Sequence, residues 1–361
     1  MSQAVLRVAL IGYGLAGETF HGPLLEATSG YEVAVVVTGD PGRAAKAARN
    51  HPAARIVATV DELWQASADL DLVVVASPNA HHADQAIAAL RHGLAVVIDK
   101  PIAGTVEDAE RLLAVRDETG GFLSIFQNRR WDSDFLTVKD LVASERLGTI
   151  RRFESRFELW QPAVTQAWRD DADAAAGGGV LIDLGAHLID QAVQLFGPVA
   201  SLYADQFHGR AGTQVDDDSF VALHHESGVV SHLWTSKLAA DLGPRFRILG
   251  SRGAYSKRGL DPQEDQAQHG LGPASASWGV DVPENWGRLS DGETEVVIPS
   301  RPGAYQGFYI ELRDAIRSDG RPPVAPEDSL YTLRLLAAAR VSATEGRAVS
   351  VDGLGRVADA E

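Results

Sequence analysis

The stretch Val5-Leu6-Arg7-Val8-Ala9-Leu10-Ile11-Gly12-Tyr13-Gly14-Leu15-Ala16-Gly17 decides the fold. Val5 to Ile11 is a short, nearly continuous apolar run, the pattern of a parallel strand buried on both faces. The run ends in G-x-G-x-x-G at Gly12, Gly14 and Gly17, and Glu18 to Ala27 follows with helical composition. Strand, glycines and helix stand in the order that brings a pyrophosphate onto a helix N-terminus. The first glycine permits the turn, the second lets the backbone approach phosphate, and the third allows close helix–strand packing. Leu15 and Ala16 complete the loop. A tight strand–helix turn without a ligand has the same spacing, but the order of elements favours a dinucleotide site.

Working outward, similar apolar runs recur at Glu32 to Thr38, Leu72 to Ala76, Ala95 to Ile98 and Phe122 to Phe126. Ala44 to Arg49, Ala83 to His92 and Val106 to Glu118 lie between them with amphipathic helical spacing. The alternation predicts an N-terminal Rossmann domain, an α/β doubly wound parallel sheet, over residues 1–125. Beyond Phe126 aromatic residues cluster, and strand-like stretches follow one another at Ile150 to Leu159, Phe220 to His225 and Val229 to Ser236. Residues 126–361 therefore read as a C-terminal α+β domain on a mostly antiparallel sheet with one helix-covered face. Asp261 to Gly287 reads as a long ordered loop, disorder being the alternative, and Glu327 to Glu345 as a closing helix between Pro326 and Gly346.

The chain of 361 residues is long enough for about two domains of roughly 150 residues each. Its 33 Lys and Arg against 49 Asp and Glu give a net charge of -16, a field that repels nucleic acid and disfavours polybasic attachment to anionic membranes. The absence of cysteine excludes disulfides, thiolate nucleophiles and Cys-ligated metal, and fits a reducing compartment. With no long apolar span and no signal-peptide pattern, the expected location is the cytoplasm.

Further candidates stand at strand ends, where ligands of open α/β sheets bind. After the second strand come Thr38, Gly39, Asp40 and Arg43. Asp40 can serve as a carboxylate for the ribose of NAD, while Thr38 and Arg43 can supply a hydroxyl and a cation to the extra phosphate of NADP. The reading leans to NADP, with NAD open. Ser77, Pro78, Asn79 and His82 follow the strand Leu72 to Ala76, where they can face the nicotinamide ribose or simply build a loop. Asp99-Lys100-Pro101 places Lys100 at another carboxyl edge, within reach of cofactor and substrate, where an ammonium can hold a hydroxyl or move a proton.

Gly177-Gly178-Gly179 precedes Val180 to Phe196, whose apolar residues recur at helical spacing. Asp183 and His187, four apart, share one face. They read either as a proton-transfer pair or as a surface pair on a capped helix, with Asp190 as a structural extension of that face. His224, His225 and His232 do not converge by spacing, since adjacent strand residues point to opposite faces, so no metal is expected.

Together, G-Y-G-L-A-G at 12–17, D-K-P at 99–101 and G-G-G-V-L-I-D-L-G-A-H at 177–187 resemble the glucose-fructose oxidoreductase, or Gfo/Idh/MocA, family. Thr19 to Leu25, Asn128 to Asp132 and Gln263 to Asp265 resemble its branch containing NADP-dependent scyllo-inositol dehydrogenases. The resemblance implies a catalytic set of Lys100, Asp183 and His187, with Asn128 and Arg130 as further substrate contacts. It also implies a homodimer or homotetramer formed through the open sheet. The family usually has Glu where this chain has Asp99; NAD-preferring members tend to have an acid at the position of Gly39, and the NADP-dependent branch often has a base at that of Asp40. The expected activity is NAD(P)-dependent hydride transfer at a ring carbinol of an inositol or other cyclic polyol. An aldose, keto-sugar or dihydrodiol oxidoreductase is the alternative within the family, and a noncatalytic dinucleotide-binding redox sensor the alternative outside it.

Overall fold

Apolar runs too short for helices and ended by turn residues become the strands of a parallel sheet. β1 (Leu6–Ile11), β2 (Tyr31–Val37), β4 (Leu72–Val75), β5 (Ala95–Asp99) and β6 (Leu123–Phe126) form where the sequence predicts them. A further strand, β3 (Arg55–Val57), was not expected, because three residues on a sheet edge carry no readable period. The computed structural model describes residues 5–164 and 178–353. The sheet order is β3-β2-β1-β4-β5-β6, and every pair is parallel. Val8, Leu10, Val73, Val74 and Val97 have no exposed surface, as strands covered on both faces require.

The intervening helices are α1 (Gly22–Ala27), α2 (Pro41–Asn50), α3 (Val60–Trp64), α4 (His82–Arg91) and α5 (Val106–Thr119). Asp40, Thr59 and Thr105 cap the starts of α2, α3 and α5 by accepting from the backbone N–H groups of Arg43, Glu62 and Asp108. The helix expected from Glu18 instead opens with a wide π turn over Ala16–His21, in which the Gly22 N–H reaches the Gly17 carbonyl. Gly17 is pressed against the β1 turn, so the chain enters α1 through a loosened first turn.

The second sheet is mixed and larger, in the order β14-β13-β12-β11-β7-β10-β9-β8-β15. Its central strands are β7 (Ile150–Glu158), β8 (Val199–Phe207), β9 (Asp218–His225), β10 (Val230–Ser236) and β11 (Phe246–Gly250). Outer strands are β12 (Ala254–Lys257), β13 (Gly287–Ser290), β14 (Glu295–Ile298) and β15 (Val349–Ser350). All pairs are antiparallel except β10 with β7. One face carries Phe153, Leu202, Leu223, Leu233 and Ile248 into a core closed by the helices Ser133–Ala143, Ala186–Phe196 and Pro326–Glu345. The stretch Asp261 to Gly287, expected as loop, contains the helix Gln263–Gln268 and a turn of 3-10 helix at Pro283–Asn285.

By compactness the described residues group into two units, neither continuous in sequence. The first takes those within Met1–Asn128, Gln263–Trp278 and Ala304–Ser329; the second takes those within Arg129–Pro262, Gly279–Gly303 and Leu330–Glu361. The helix Tyr305–Ser318 belongs to the first unit and buries Tyr305, Phe308, Tyr309 and Leu312. Among the described residues no helix is long and apolar enough to cross a membrane.

Candidate functional site

In the first unit the order of strands reverses between β1 and β4, the switch point at which open α/β sheets bind ligands. Gly12 ends β1 with φ +94°, and a Cβ there would fall 2.5 Å from the Ala76 carbonyl oxygen at the end of β4. At Gly17 a Cβ would fall 2.2 Å from the Gly12 oxygen. Any side chain at either position would push the loop apart. Gly14 differs: the nearest atom to its would-be Cβ is a guanidinium nitrogen of Arg43 at 3.8 Å, so the loop surface is bare and lies beside a cation. This is a cradle suited to the phosphates of a dinucleotide. Exposed Leu15 and half-buried Ala16 complete it.

At the end of β2, Thr38 continues the ladder by donating its N–H to Val57, and exposed Gly39 leads into the α2 cap. Asp40 accepts the Arg43 N–H at 2.8 Å, so its carboxylate already serves that helix. Beyond β4, Ser77 donates its hydroxyl to Gln85 at 2.7 Å, while Pro78 and Asn79 start a 3-10 turn. The buried His82 ring bridges backbone rather than facing outward, with Nδ1 at 2.8 Å from the Pro101 carbonyl and Nε2 at 2.8 Å from the Ser77 carbonyl. Burial pushes this imidazole below its ordinary pKa, although the two carbonyls and Asp99 draw it up. His82 thus ties the Ser77 loop to the turn bearing Lys100. Lys100 itself follows β5, and its N–H donates to Asp99 Oδ1 at 3.0 Å.

In the second unit, the predicted helix from Val180 begins as a π turn over Leu181–Gly185 and continues as Ala186–Phe196. Gly177 lies outside the described residues. Gly179 has φ +97°, and a Cβ there would meet Asp216 Oδ1 at 1.9 Å. Asp216 Oδ2 accepts the Leu181 N–H at 2.7 Å, and its backbone carbonyl accepts the Val180 N–H at 3.0 Å. The glycine is required because a buried carboxylate from another segment occupies its side-chain space and caps the helix. Asp183 sits half-buried on the π turn and His187 is buried one turn on, both on this capped segment.

Asn128, assigned to the first unit, and Arg130, assigned to the second, fall on the 3-10 turn Asn128–Trp131. Arg130 engages Asp190 in a fork, Nε to Oδ2 at 2.9 Å and Nη2 to Oδ1 at 2.6 Å, with both side chains nearly buried. Through that geometry Arg130 bolts the turn to the helix carrying His187. Gln191 adds to the bolt by donating to the Arg129 carbonyl at 2.9 Å and accepting from Arg245 at 2.9 Å. Arg245 in turn pairs with Asp134 at 3.0 Å, deep in the unit.

Sequence reasoning did not find Asp216, Gln191 or Arg245. The run Asp216-Asp217-Asp218 was the available signal, since three successive acids at the start of a strand each need a partner. Asp217 holds the loop at Gly209 and Arg210, and Asp218 accepts from Ser236. Successive His224 and His225 are exposed and buried respectively, as strand alternation demands. Among the described residues no group of three or more His, Cys, Asp or Glu is arranged to hold a metal.

Comparison with known proteins gives this geometry a family. Residues 6–127 match "Oxidoreductase family, NAD-binding Rossmann fold", and residues 139–351 match "Oxidoreductase family, C-terminal alpha/beta domain". The chain is 34% identical to scyllo-inositol 2-dehydrogenase (NADP(+)) IolW of Bacillus subtilis, over 96% of each. It is 38% identical to the oxidoreductase YdgJ of Escherichia coli, over 92% of this chain and 94% of the other. The solved structure of yvaA from Bacillus subtilis superposes with a TM-score of 0.91 at 32% identity, covering 97% of this chain and 99% of that one. With both its domains matched, the chain belongs to the Gfo/Idh/MocA family of NAD-binding oxidoreductases.

Proposed function

We propose that this protein is an NADP-dependent dehydrogenase acting on a ring carbinol of a cyclic polyol of the scyllo-inositol type. The observation that carries the reading is the full-length likeness to a scyllo-inositol 2-dehydrogenase in a chain that carries Lys100, Asp183 and His187. The preference for NADP is supported by Arg43 beside the bare Gly14 surface and by the use of Asp40 as a helix cap. A carboxylate held by backbone N–H is less available to a ribose, and a guanidinium is matched to phosphate.

The Gly12–Gly17 loop would hold the phosphates of the dinucleotide, whose nicotinamide would supply the hydride acceptor. The protein manages the proton and the charge. His187 accepts the carbinol proton on its imidazole, and Asp183 orients that ring or a neighbouring hydroxyl. Lys100 Nζ donates to the carbinol oxygen as negative charge develops on it. We also propose that the open face of the second sheet, where Phe220, His232 and Trp234 cluster and Arg156 stacks 3.9 Å over Trp234, pairs with a second copy of the chain.

The test mixes purified protein with NADP or NAD and a panel of inositols and sugars, following near-ultraviolet absorbance. A cofactor-dependent rise with an inositol is expected, reduced by about 100-fold or more in Lys100→Met and in His187→Ala with cofactor affinity kept. Near-normal turnover in either variant would remove that residue from the mechanism. Cofactor binding without turnover of any polyol in either direction would favour the redox-sensor alternative.

A further inference from the structure

We propose that His21 is a positioning residue for Lys100, acting through Asp99; the inference rests on the catalytic role proposed above for that lysine. The His21 ring has no exposed surface and lies 4.5 Å, centroid to centroid, from Phe126. On one side Tyr309, from the helix Tyr305–Ser318, is within 2.6 Å of His21 Nδ1. Burial, with Tyr31 and Asp99 adding, holds the Tyr309 phenol well above its ordinary pKa, so its O–H remains and is available to donate to Nδ1. In this arrangement the phenol donates to Nδ1 and the N–H at Nε2 is the edge of the ring turned toward Asp99.

On the other side, buried Nε2 makes no hydrogen bond in the structure and stands 3.8 Å from Asp99 Oδ1. That separation is too long for a hydrogen bond but well within electrostatic reach. Asp99 Oδ1 is also the atom that accepts the Lys100 N–H at 3.0 Å. Burial raises the Asp99 carboxyl, yet His21, Lys100 and His82 together bring it below its usual value, so it is an anion facing the His21 ring. The titratable groups around His21 are therefore Asp99 from β5, Tyr309 from the later helix and His82 from α4. The outcome is a line of groups, Tyr309 to His21 to Asp99, that ends on the peptide presenting Lys100. For packing against Phe126 alone a phenylalanine would serve; the polar ring is needed for the field it applies to Asp99.

The test needs no substrate. Acetic anhydride labelling of Lys100 is measured by mass spectrometry relative to exposed Lys139 in the full chain, in wild type, His21→Phe, His21→Gln and Tyr309→Phe. His21→Phe is expected to change the ratio by about three-fold or more. His21→Gln, which restores an N–H donor near the Nε2 position, is expected to return it toward wild type. With a turned-over substrate, His21→Phe is expected to lower kcat by about ten-fold or more, with KM for the cofactor unchanged. A folded His21→Phe with wild-type labelling and kcat overturns the proposal. Should that variant not fold, Tyr309→Phe decides: a changed ratio supports it and an unchanged one overturns it. Normal turnover in Lys100→Met would instead overturn the catalytic reading, while the labelling ratio still decides the positioning.

Discussion

At Gly179 one side chain from elsewhere in the sequence dictates what can stand there. With φ +97° and the Asp216 carboxylate 1.9 Å from its would-be Cβ, Gly179 admits no other residue without displacing the cap of the His187 helix. Asp216→Ala removes that acceptor and leaves the Leu181 N–H buried and unbonded, at a cost of roughly 1–3 kcal/mol. Urea unfolding of Asp216→Ala should show this loss, with kcat falling more than the affinity for cofactor; an unchanged midpoint would contradict the cap. Arg43→Ala is expected to raise KM for NADP about ten-fold or more while leaving KM for NAD nearly unchanged, and equal changes for both cofactors in steady-state kinetics would place Arg43 away from the phosphate.

Elements are held by side chains that bridge them, and β9 ends on such a residue. His225 Nδ1 donates to the Gly197 carbonyl at 2.8 Å, and its Nε2 accepts from the Ser231 hydroxyl at 2.8 Å, joining the end of the Ala186–Phe196 helix to β10. Burial lowers its pKa from 6.5 to about 4, which the Gly197 contact only partly offsets. Below pH 6.5 the unfolded chain takes up a proton that the folded chain resists until about pH 4, so stability is full above 6.5 and falls across that window. The loss by the bottom of the window is about 3 kcal/mol. His225→Gln has no such group to titrate, so the drop in its urea midpoint between pH 7 and pH 5 should be smaller than in wild type. Parallel drops in the two proteins would refute the assignment.

For the whole molecule, the second sheet presents one face to its helices and leaves the other to be covered differently. Along β7 the alternation puts Phe153, Ser155 and Phe157 inside and Arg152, Glu154, Arg156 and Glu158 on the opposite face. Glu154 there gathers Arg152, Arg156 and Arg247, a charge cluster beside the aromatic group of Phe220, His232 and Trp234. Trp234→Glu places a charge where a second copy is proposed to pack, and light scattering should show wild type as dimer or tetramer and the variant shifted to monomer. Identical masses would exclude this face from assembly.

How much of this was legible follows from how far apart the partners lie. The apolar runs of the parallel strands and the glycine loop after β1 report interactions within a few residues, so local period and composition made them legible. The candidates Lys100, Asp183 and His187 were likewise visible as residue types at strand ends and helix spacing, whereas the groups that hold them in place were not. Asp216 reaches Leu181 across 35 residues, Arg130 reaches Asp190 across 60, and Tyr309 reaches His21 across 288. No local pattern encodes such pairs, and their polar atoms meet only when packing takes them out of water together. The same reason explains the parallel pairing of β10 with β7 and the buried fork between Arg130 and Asp190. Local pattern alone therefore carries the buried parallel strands, the glycine loop and the residue types at the strand ends. Which distant polar groups meet in the interior is settled by packing, because pairs so far apart in sequence leave no local period to read.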